Sequence, residues 1–295
     1  MRTCIIFNPS ARGQKAERLC SRLAALCPNS VLRRTNLPGD GRALAAQAVR
    51  EGFTTIIAAG GDGTANEVVN GIAEASGGLE IARLGLFPLG TINVFARELG
   101  LPRNIADMAQ VLLAGQEIGI DLGRVEFPAA GGSQTRYFLQ LAGAGLDSRA
   151  VELVDWELKK KIGRFAYVIA GLRALQEKQP LITVEYEKTI AGELVLLGNG
   201  RLYGGDFEVF PRASLHDGLL DVCVLPKISA GQVLRIALGV ITGRLHRFSA
   251  ARHSQSSRVK LSSASRVTLQ LDGENVCPLP ATFSVLPKAL RVIVP

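Results

Sequence analysis

Residues 54–71 read TTIIAAGGDGTANEVVNG, and the fold turns on how this stretch is read. The apolar, β-favouring run TTIIAA (54–59) predicts a buried strand. Three glycines, Gly60, Gly61 and Gly63, then surround one acid, Asp62. Thr64-Ala65-Asn66-Glu67 has capping-box spacing, so a helix is expected to begin at Thr64. Glycine in such a turn permits positive φ and lets a ligand approach bare main chain. A strand that passes through glycines straight into a helix sets backbone N–H groups and a positive helix end against one space, which favours phosphate. Asp62 would repel phosphate unless a divalent cation lay nearby, so the stretch points to a magnesium nucleotide. A plain glycine turn, with Asp62 bonded to its own backbone, is the alternative left open here. Asn66 stands where a dinucleotide fingerprint needs its third glycine, and no GxxxxGK[ST] occurs, so neither a Rossmann nor a Walker A loop is present.

Working outward, the same grammar repeats. TCIIF (3–7) reads as a buried strand, followed by a helix over 14–27 with Leu19, Leu23 and Leu26 on one face. VLRRT (31–35) is a second strand, and a helix near 40–51 carries Leu44, Ala48 and Val49. After the opening stretch, ARLGLFPLGT (82–91) supplies a fourth strand, and NVFAREL and IADMAQVLLAG read as helices. This succession implies a parallel sheet covered on both faces. Beyond Asp121 the pattern changes. A helical stretch from about Ser148 to Glu177, broken near Gly163, precedes LITVEYE, with Ile182, Val184 and Tyr186 on one side, and VTLQLD, with Val267, Leu269 and Leu271 on one side. Period-2 alternation predicts antiparallel strands with a wet face, interrupted by one helix near 229–242. The expected architecture is an α/β domain with a parallel sheet over 1–124, then a mainly antiparallel β-sandwich domain with inserted helices over 125–295, the last strand packing back on the first domain.

Bulk properties narrow the function classes. The chain has 295 residues, 47% hydrophobic and 20% charged, long enough for two cored domains. A net charge of +8 favours anionic partners: nucleic acid, phosphate ligands or an acidic membrane surface. Aromatic residues at 5%, with no recognised module, argue against nucleic acid. The five cysteines form no CxxC pair and no zinc spacing, as expected of reduced, buried thiols in a cytoplasmic protein. No run approaches the ~18 to 20 apolar residues that span a bilayer, and the four-residue apolar run near the N-terminus is too short for a signal peptide. Membrane contact, if made, is expected to be peripheral.

On this map four strand ends face one rim: FNPSARG (7–13), Thr35, the Gly60–Thr64 turn, and Gly90-Thr91, which leads into another helix. NPSARG, GGDGTANEVVNG, PLGTINVFARELGLP, DGLLDV and LDGE, in this order along essentially the whole chain, resemble the diacylglycerol kinase catalytic-domain family. That family includes sphingosine and ceramide kinases and soluble bacterial lipid kinases. GGDGT alone is shared with NAD kinases and is less specific.

The resemblance implies an NAD kinase/diacylglycerol kinase-like fold, ATP as phosphate donor and Mg²⁺ as cofactor. It implies ATP contacts from Asn8, Pro9, Ser10 and Arg12, from Thr35, from Gly60, Gly61, Asp62, Gly63, Thr64, Asn66 and Glu67, and from Thr91. It places Mg²⁺ on the Asp217 side chain with main-chain oxygens of Ser214 and Leu219, a hard-cation set. Asp217-Gly218 also reads as a hairpin turn, and both readings are compatible. Glu274 in LDGE is implied to be the general base, with Asp62 the second acid of the catalytic machinery; spacing alone makes Glu274 a solvated hairpin residue. Phosphoryl transfer depends chiefly on positioning and charge stabilisation, so such a base orients the lipid hydroxyl more than it strips it. Val94 departs from the family's Asn-Asp-Phe-Ala-Arg, removing an acid from the expected metal and nucleotide network. Lys159, Lys160, Lys161 and Arg164 read either as a membrane-facing patch or as a solvated helix face, while Arg12, Lys15 and Arg97 are the better ATP-contact candidates. The expected activity is transfer of the ATP γ-phosphate to a lipid alcohol such as diacylglycerol, at the inner membrane face, with a homodimer left open. The rivals are a kinase of a soluble substrate such as NAD and a non-catalytic nucleotide or lipid sensor.

Overall fold

The computed structural model describes residues 2–9, 14–27, 29–155, 158, 162, 165–233, 235 and 251–295. The chain divides into two compact units, Met1–Asp121 with Pro287–Pro295, and Leu122–Leu286. In chain order the first unit holds β1 (Thr3–Phe7), α1 (Gln14–Leu26), β2 (Ser30–Arg34), α2 (Asp40–Arg50), β3 (Thr55–Gly60), α3 (Asp62–Glu74), α4 (Gly78–Ile81), β4 (Arg83–Pro88), α5 (Val94–Glu98) and α6 (Ile105–Ala114). The long strand β5 (Gln116–Ala129) carries the chain from one unit into the next. There follow β6 (Gly132–Phe138), β7 (Leu141–Gly145), α7 (Leu146–Leu153), α8 (Phe165–Ala174), β8 (Ile182–Glu185), β9 (Thr189–Gly192), β10 (Leu194–Gly198), β11 (Leu202–Tyr203) and β12 (Phe207–Glu208). The remaining strands are β13 (Leu220–Leu225), β14 (Arg252–Ser256), β15 (Arg258–Ser263), β16 (Thr268–Leu271), β17 (Glu274–Pro278) and β18 (Ala281–Val294).

In the first unit the strands run in the order β2-β1-β3-β4-β18, and every pair is parallel. All six residues of β3 are buried, as a central strand covered on both faces requires, whereas the edge strand β2 is half exposed and carries Arg33 and Arg34. Against the sheet, Ala45, Ala48 and Val49 of α2 and Val68, Val69 and Ile72 of α3 are buried. A Cβ on Gly71 would lie 2.1 Å from the Arg42 carbonyl oxygen, so glycine there sets how closely α2 and α3 approach. The face of α1 differs from expectation. Leu19, Cys20 and Leu23 are buried while Leu26 is 53% exposed, because the buried stripe continues through Cys27.

Among the described residues the second unit contains two larger antiparallel systems and the short pair β11–β12. One runs β14-β13-β10-β7-β16-β17. The other pairs β9 with β8, β8 with β15, and β15 with the first residues of β18, while β5 pairs β6. Val125, Phe138, Ala142, Val195, Leu197, Val222, Val259, Leu269 and Phe283 share one buried cluster between facing strands. The inserted helical segment begins at Leu146, two residues before expectation. The wet face expected for VTLQLD is absent from β16: Gln270 is 1% exposed, because α7 packs on that side. Of the helix expected near 229–242, residues 234 and 236–242 lie outside the described residues.

All five cysteines are free and buried. Burial pushes the Cys4 and Cys277 thiols up to about 11 and those of Cys20 and Cys223 up to about 12. At pH 8 a thiol of pKa about 11 is ionised only about one part in a thousand. The native protein is therefore expected to react negligibly with a thiol-disulfide reagent at pH 8 and to yield five equivalents once unfolded in guanidinium. Rapid native labelling of two or more thiols would contradict this burial.

Candidate active site

Parallel register brings the expected nucleotide residues to one edge. Phe7 lies opposite Arg34 and Ala59, and Gly60 opposite Pro88, so Asn8, Thr35, the Gly60–Asp62 turn and Leu89–Thr91 all leave the carboxyl ends of neighbouring strands. Main-chain bonds tie the rim together. Asn8 N donates to the Ala59 oxygen at 3.0 Å, Thr35 N to the Phe7 oxygen at 3.0 Å, and Leu89 N to the Gly60 oxygen at 2.8 Å. Thr35 is buried, and its hydroxyl lies 3.4 Å from the Phe7 oxygen. Pro9 is half-buried and Thr91 exposed. Ser10 and Arg12, with the Lys15 side chain, lie outside the described residues, as do Lys159, Lys160, Lys161 and Arg164.

The helix after GGDGT begins at Asp62, not at Thr64. Its N-cap is Gly61, in extended conformation and with no side-chain cap, and Ala65 N already bonds the Gly61 oxygen at 3.1 Å. The capping box is thereby overturned. Thr64 lies buried over Gly60, where an added Cβ would fall 2.3 Å from its hydroxyl oxygen. Glu67 instead accepts from Gly39 N at 2.7 Å and Gly41 N at 2.8 Å, tying α3 to the start of α2. Asn66 accepts from the Asn70 amide through both its main-chain oxygen, at 2.9 Å, and its side-chain oxygen, at 3.1 Å. The first N–H groups of α3 have no acceptor one turn back and Gly61 offers no side-chain cap, although the Asp62 carboxylate bonds its own N–H. That is the feature an anionic ligand fits.

The second loop seats against the first. A Cβ on Gly90 would meet Gly61 Cα at 2.7 Å and Asn93 Oδ1 at 2.6 Å, so glycine at 90 is needed for the two turns to touch. Asn93 adopts φ 53° and donates to the Gly90 oxygen at 2.7 Å. Its buried Oδ1 has no hydrogen-bond partner among the described residues. Asp62 Oδ1 accepts from Phe95 N at 3.1 Å, so this acid caps α5 across the loop rather than its own turn alone. Burial pushes its carboxyl above the usual range, and the Val94 and Phe95 N–H groups and Arg97 pull against that.

In the second unit Asp217 Oδ1 accepts from Leu219 N at 3.0 Å and Ser214 Oγ from His216 N at 3.3 Å, with Gly218 at φ 72°. The Asp-Gly turn is therefore present and turns Asp217 toward its own main chain. Burial pushes the nearby Asp221 carboxyl up, opposed by the Gln255 amide and reinforced by the charge of Asp217. Among the described residues no group of three or more His, Cys, Asp or Glu side chains could hold a metal. A cation here would have to rest on one carboxylate and main-chain oxygens, donors that suit Mg²⁺.

Glu274 is exposed and opens β17, opposite Leu271, after a two-residue turn in which Asp272 (φ 49°) and Gly273 (φ 90°) both take positive φ. The sequence reading missed what surrounds it. Asp272 accepts from Leu139 N, Gln140 N and Leu141 N at 2.8, 2.9 and 3.0 Å. Buried Gln270 bonds Asp147 and Gly273, and Tyr203 bonds Asp147. Burial pushes Asp147 up, against its bonds from Tyr203 and Gln270. The one available signal was a glutamine in an otherwise apolar strand.

Comparison with known proteins places this geometry. The family profile described as "Diacylglycerol kinase catalytic domain" matches residues 2–125, and "YegS C-terminal NAD kinase beta sandwich-like domain" matches residues 140–294. A Bacillus subtilis (strain 168) protein named diacylglycerol kinase is 34% identical over 268 residues, covering 88% of this chain and 84% of that protein. One of the same name from Staphylococcus aureus (strain bovine RF122 / ET3-1) is 30% identical, covering 100% of this chain and 92% of its own. A crystal structure described as a diacylglycerol kinase from Bacillus anthracis str. Sterne superposes with a TM-score of 0.76 at 23% identity, covering 100% and 97% of the two chains, a likeness of fold. No helix among the described residues is long and apolar enough to cross a membrane. With an N-terminal α/β domain, a C-terminal antiparallel β-sandwich-like domain and both profiles matched, this chain belongs to the diacylglycerol kinase catalytic-domain family.

Proposed function

We propose that the chain is an ATP-dependent lipid kinase that transfers the γ-phosphate of MgATP to the hydroxyl of diacylglycerol or a related lipid alcohol. The observation that carries this reading is the uncapped start of α3 at Gly61, seated against Gly90, within a GGDGT rim of a diacylglycerol kinase family member. The first N–H groups of α3, with Asn8, Pro9, Ser10, Arg12, Thr35 and Thr91, hold the polyphosphate. The Asp217 carboxylate and the main-chain oxygens of Ser214 and Leu219 are the residues that would hold Mg²⁺. Mg²⁺ supplies charge neutralisation at the transferred phosphate. Glu274 accepts a hydrogen bond from the acceptor hydroxyl and aligns it for attack; Asp62 fixes the second loop and sets the local charge. Five buried free thiols suit a reducing cytoplasm, and a net charge of +8 suits peripheral contact with anionic lipid.

The test presents the protein with radiolabelled MgATP and phosphatidylglycerol vesicles carrying dioleoylglycerol, monoacylglycerol, ceramide or sphingosine, with NAD in parallel. Labelled lipid is the expected product. Labelled NAD without labelled lipid would favour a kinase of a soluble substrate, and no transfer to any acceptor would remove the kinase reading.

A further inference from the structure

We infer that Gln270 is a positioning residue for Glu274, its buried amide linking the hairpin turn to Asp147 in the first turn of α7; this rests on the assignment of Glu274 as the base that orients the acceptor. The requirement arises from the strand itself. Between Leu269 and Gln270 the pairing of β16 with β17 shifts register: Leu269 faces Cys277, but Gln270 faces Asn275 and Leu271 faces Glu274. Val276 is the extra residue. A bulge there separates the tip of the hairpin from the regular ladder and re-aims its side chains. Glu274 lies at that tip, so its direction must be set by other contacts.

Those contacts converge on two adjacent residues of α7. Gln270 Nε2 donates to Asp147 Oδ2 at 2.7 Å, and its Oε1 accepts from Gly273 N at 2.7 Å. Asn275 Nδ2 donates to the Ser148 oxygen at 3.3 Å. Both neighbours of Glu274 in sequence are thus tied to Asp147 or Ser148. The amide has one productive orientation, because a carboxylate only accepts and a main-chain N–H only donates. Tyr203 O–H donates to the other oxygen of Asp147, which holds that carboxylate in place. Room for the cluster is made at Gly143, the partner of Gln270 on β7, where a Cβ would fall 1.9 Å from Asp147 Oδ2. On the opposite side Asp272 anchors the turn to Leu139, Gln140 and Leu141. A buried carboxylate, phenol and amide are costly to assemble in a core, and a network of this kind fixes one geometry when every member is paired.

The experiment is a double-variant cycle of Gln270→Met and Glu274→Gln, with kcat and the KM for ATP measured on dioleoylglycerol vesicles or on the alcohol that the panel above identifies. Gln270→Met keeps the side-chain length and removes both bonds. It is expected to lower kcat about 10- to 100-fold, the scale of a misplaced catalytic group, with the KM for ATP unchanged. In the Glu274→Gln background the same substitution is expected to cost less than about twofold, since the group it aims is already lost. Equal losses in the two backgrounds, or no loss with Glu274 present, overturns the inference. Wild-type rates for Glu274→Gln alone would instead remove the base assignment, and no transfer by the wild type to any acceptor removes the kinase reading and this inference with it. If Gln270→Met lacks a cooperative unfolding transition, Asn275→Ala, at an exposed position, enters the same cycle. A several-fold loss confined to the Glu274 background supports the inference, and any other pattern overturns it.

Discussion

Glu274→Gln is expected to lower phosphate transfer about 10²- to 10⁴-fold, the usual contribution of a positioned base. The substitution keeps the shape of the side chain and removes its charge. Glu274 is exposed, and Asp272 and Gln270 hold the turn before it. Stability should therefore change by no more than about 0.5 kcal/mol, as for a surface substitution away from special features. The ATP-binding residues assigned above lie in the other compact unit, so the KM for ATP should stay within about twofold if the loss falls on kcat alone. A rise in the KM for ATP with kcat preserved would make Glu274 a nucleotide contact, contrary to its assignment as a base. Wild-type kinetics would return it to the role its spacing alone suggests, a solvated hairpin residue.

Asp62→Asn separates the two tasks that the acid in GGDGT could perform. Asn retains one oxygen to accept from Phe95 N, the 3.1 Å bond that caps α5, while the charge and the second acceptor oxygen are lost. Burial raises the folded pKa of Asp62 above its unfolded value, so the native state binds a proton more readily than the unfolded chain. Stability linked to this group therefore increases as pH falls through the folded pKa toward the unfolded one, and is lost as pH rises back through the folded pKa. Burial penalises the charged form in the fold relative to the unfolded chain, so a neutral amide should leave Tm unchanged or raise it. Activity should go the other way: kcat/KM for MgATP is expected to drop about 10²-fold, or ~2.7 kcal/mol of transition-state stabilisation. A variant with raised Tm and undiminished activity would reduce Asp62 to a helix cap. A variant that loses both would show that Asn fails to hold the second loop, and Asp62→Glu would then be the poorer choice for rescue, since the site is closely packed by Gly61, Gly90 and Asn93.

The parts of this protein legible in sequence are those decided by neighbours in the chain. TTIIAA followed by glycines identifies β3, its turn and its helix because strand burial, positive φ and helix entry are local demands, and the parallel sheet follows from repeating that unit. The Asp272-Gly273 turn is legible for the same reason. Thr64 and Glu67 were misread because the capping-box spacing is equally compatible with partners elsewhere: Glu67 finds the N–H groups of Gly39 and Gly41 on another helix. Gln270 was assigned to a wet face because alternation records only that two faces differ, and nothing local announces that α7 covers the second one. Its partner Asp147 is 123 residues away in the chain. A buried polar cluster assembled from four segments leaves only single, ordinary residues in each of them.

The pairing of β18 with β4 has a consequence for synthesis of the chain. β4 is flanked on one side by β3 and on the other by Arg291 and Val292, which pair with Arg83 and Leu84, and Lys288 N bonds buried Asp121 at 2.8 Å. A ribosome delivers β4 well before its outer neighbour. Throughout that interval the nascent polypeptide carries an open strand edge, a template for pairing with other chains. Premature termination anywhere before codon 291 leaves the edge open for good. Arg291 and Val292 thus decide whether the sheet is covered, because a product cut before them that already contains every rim residue lacks the strand beside β4.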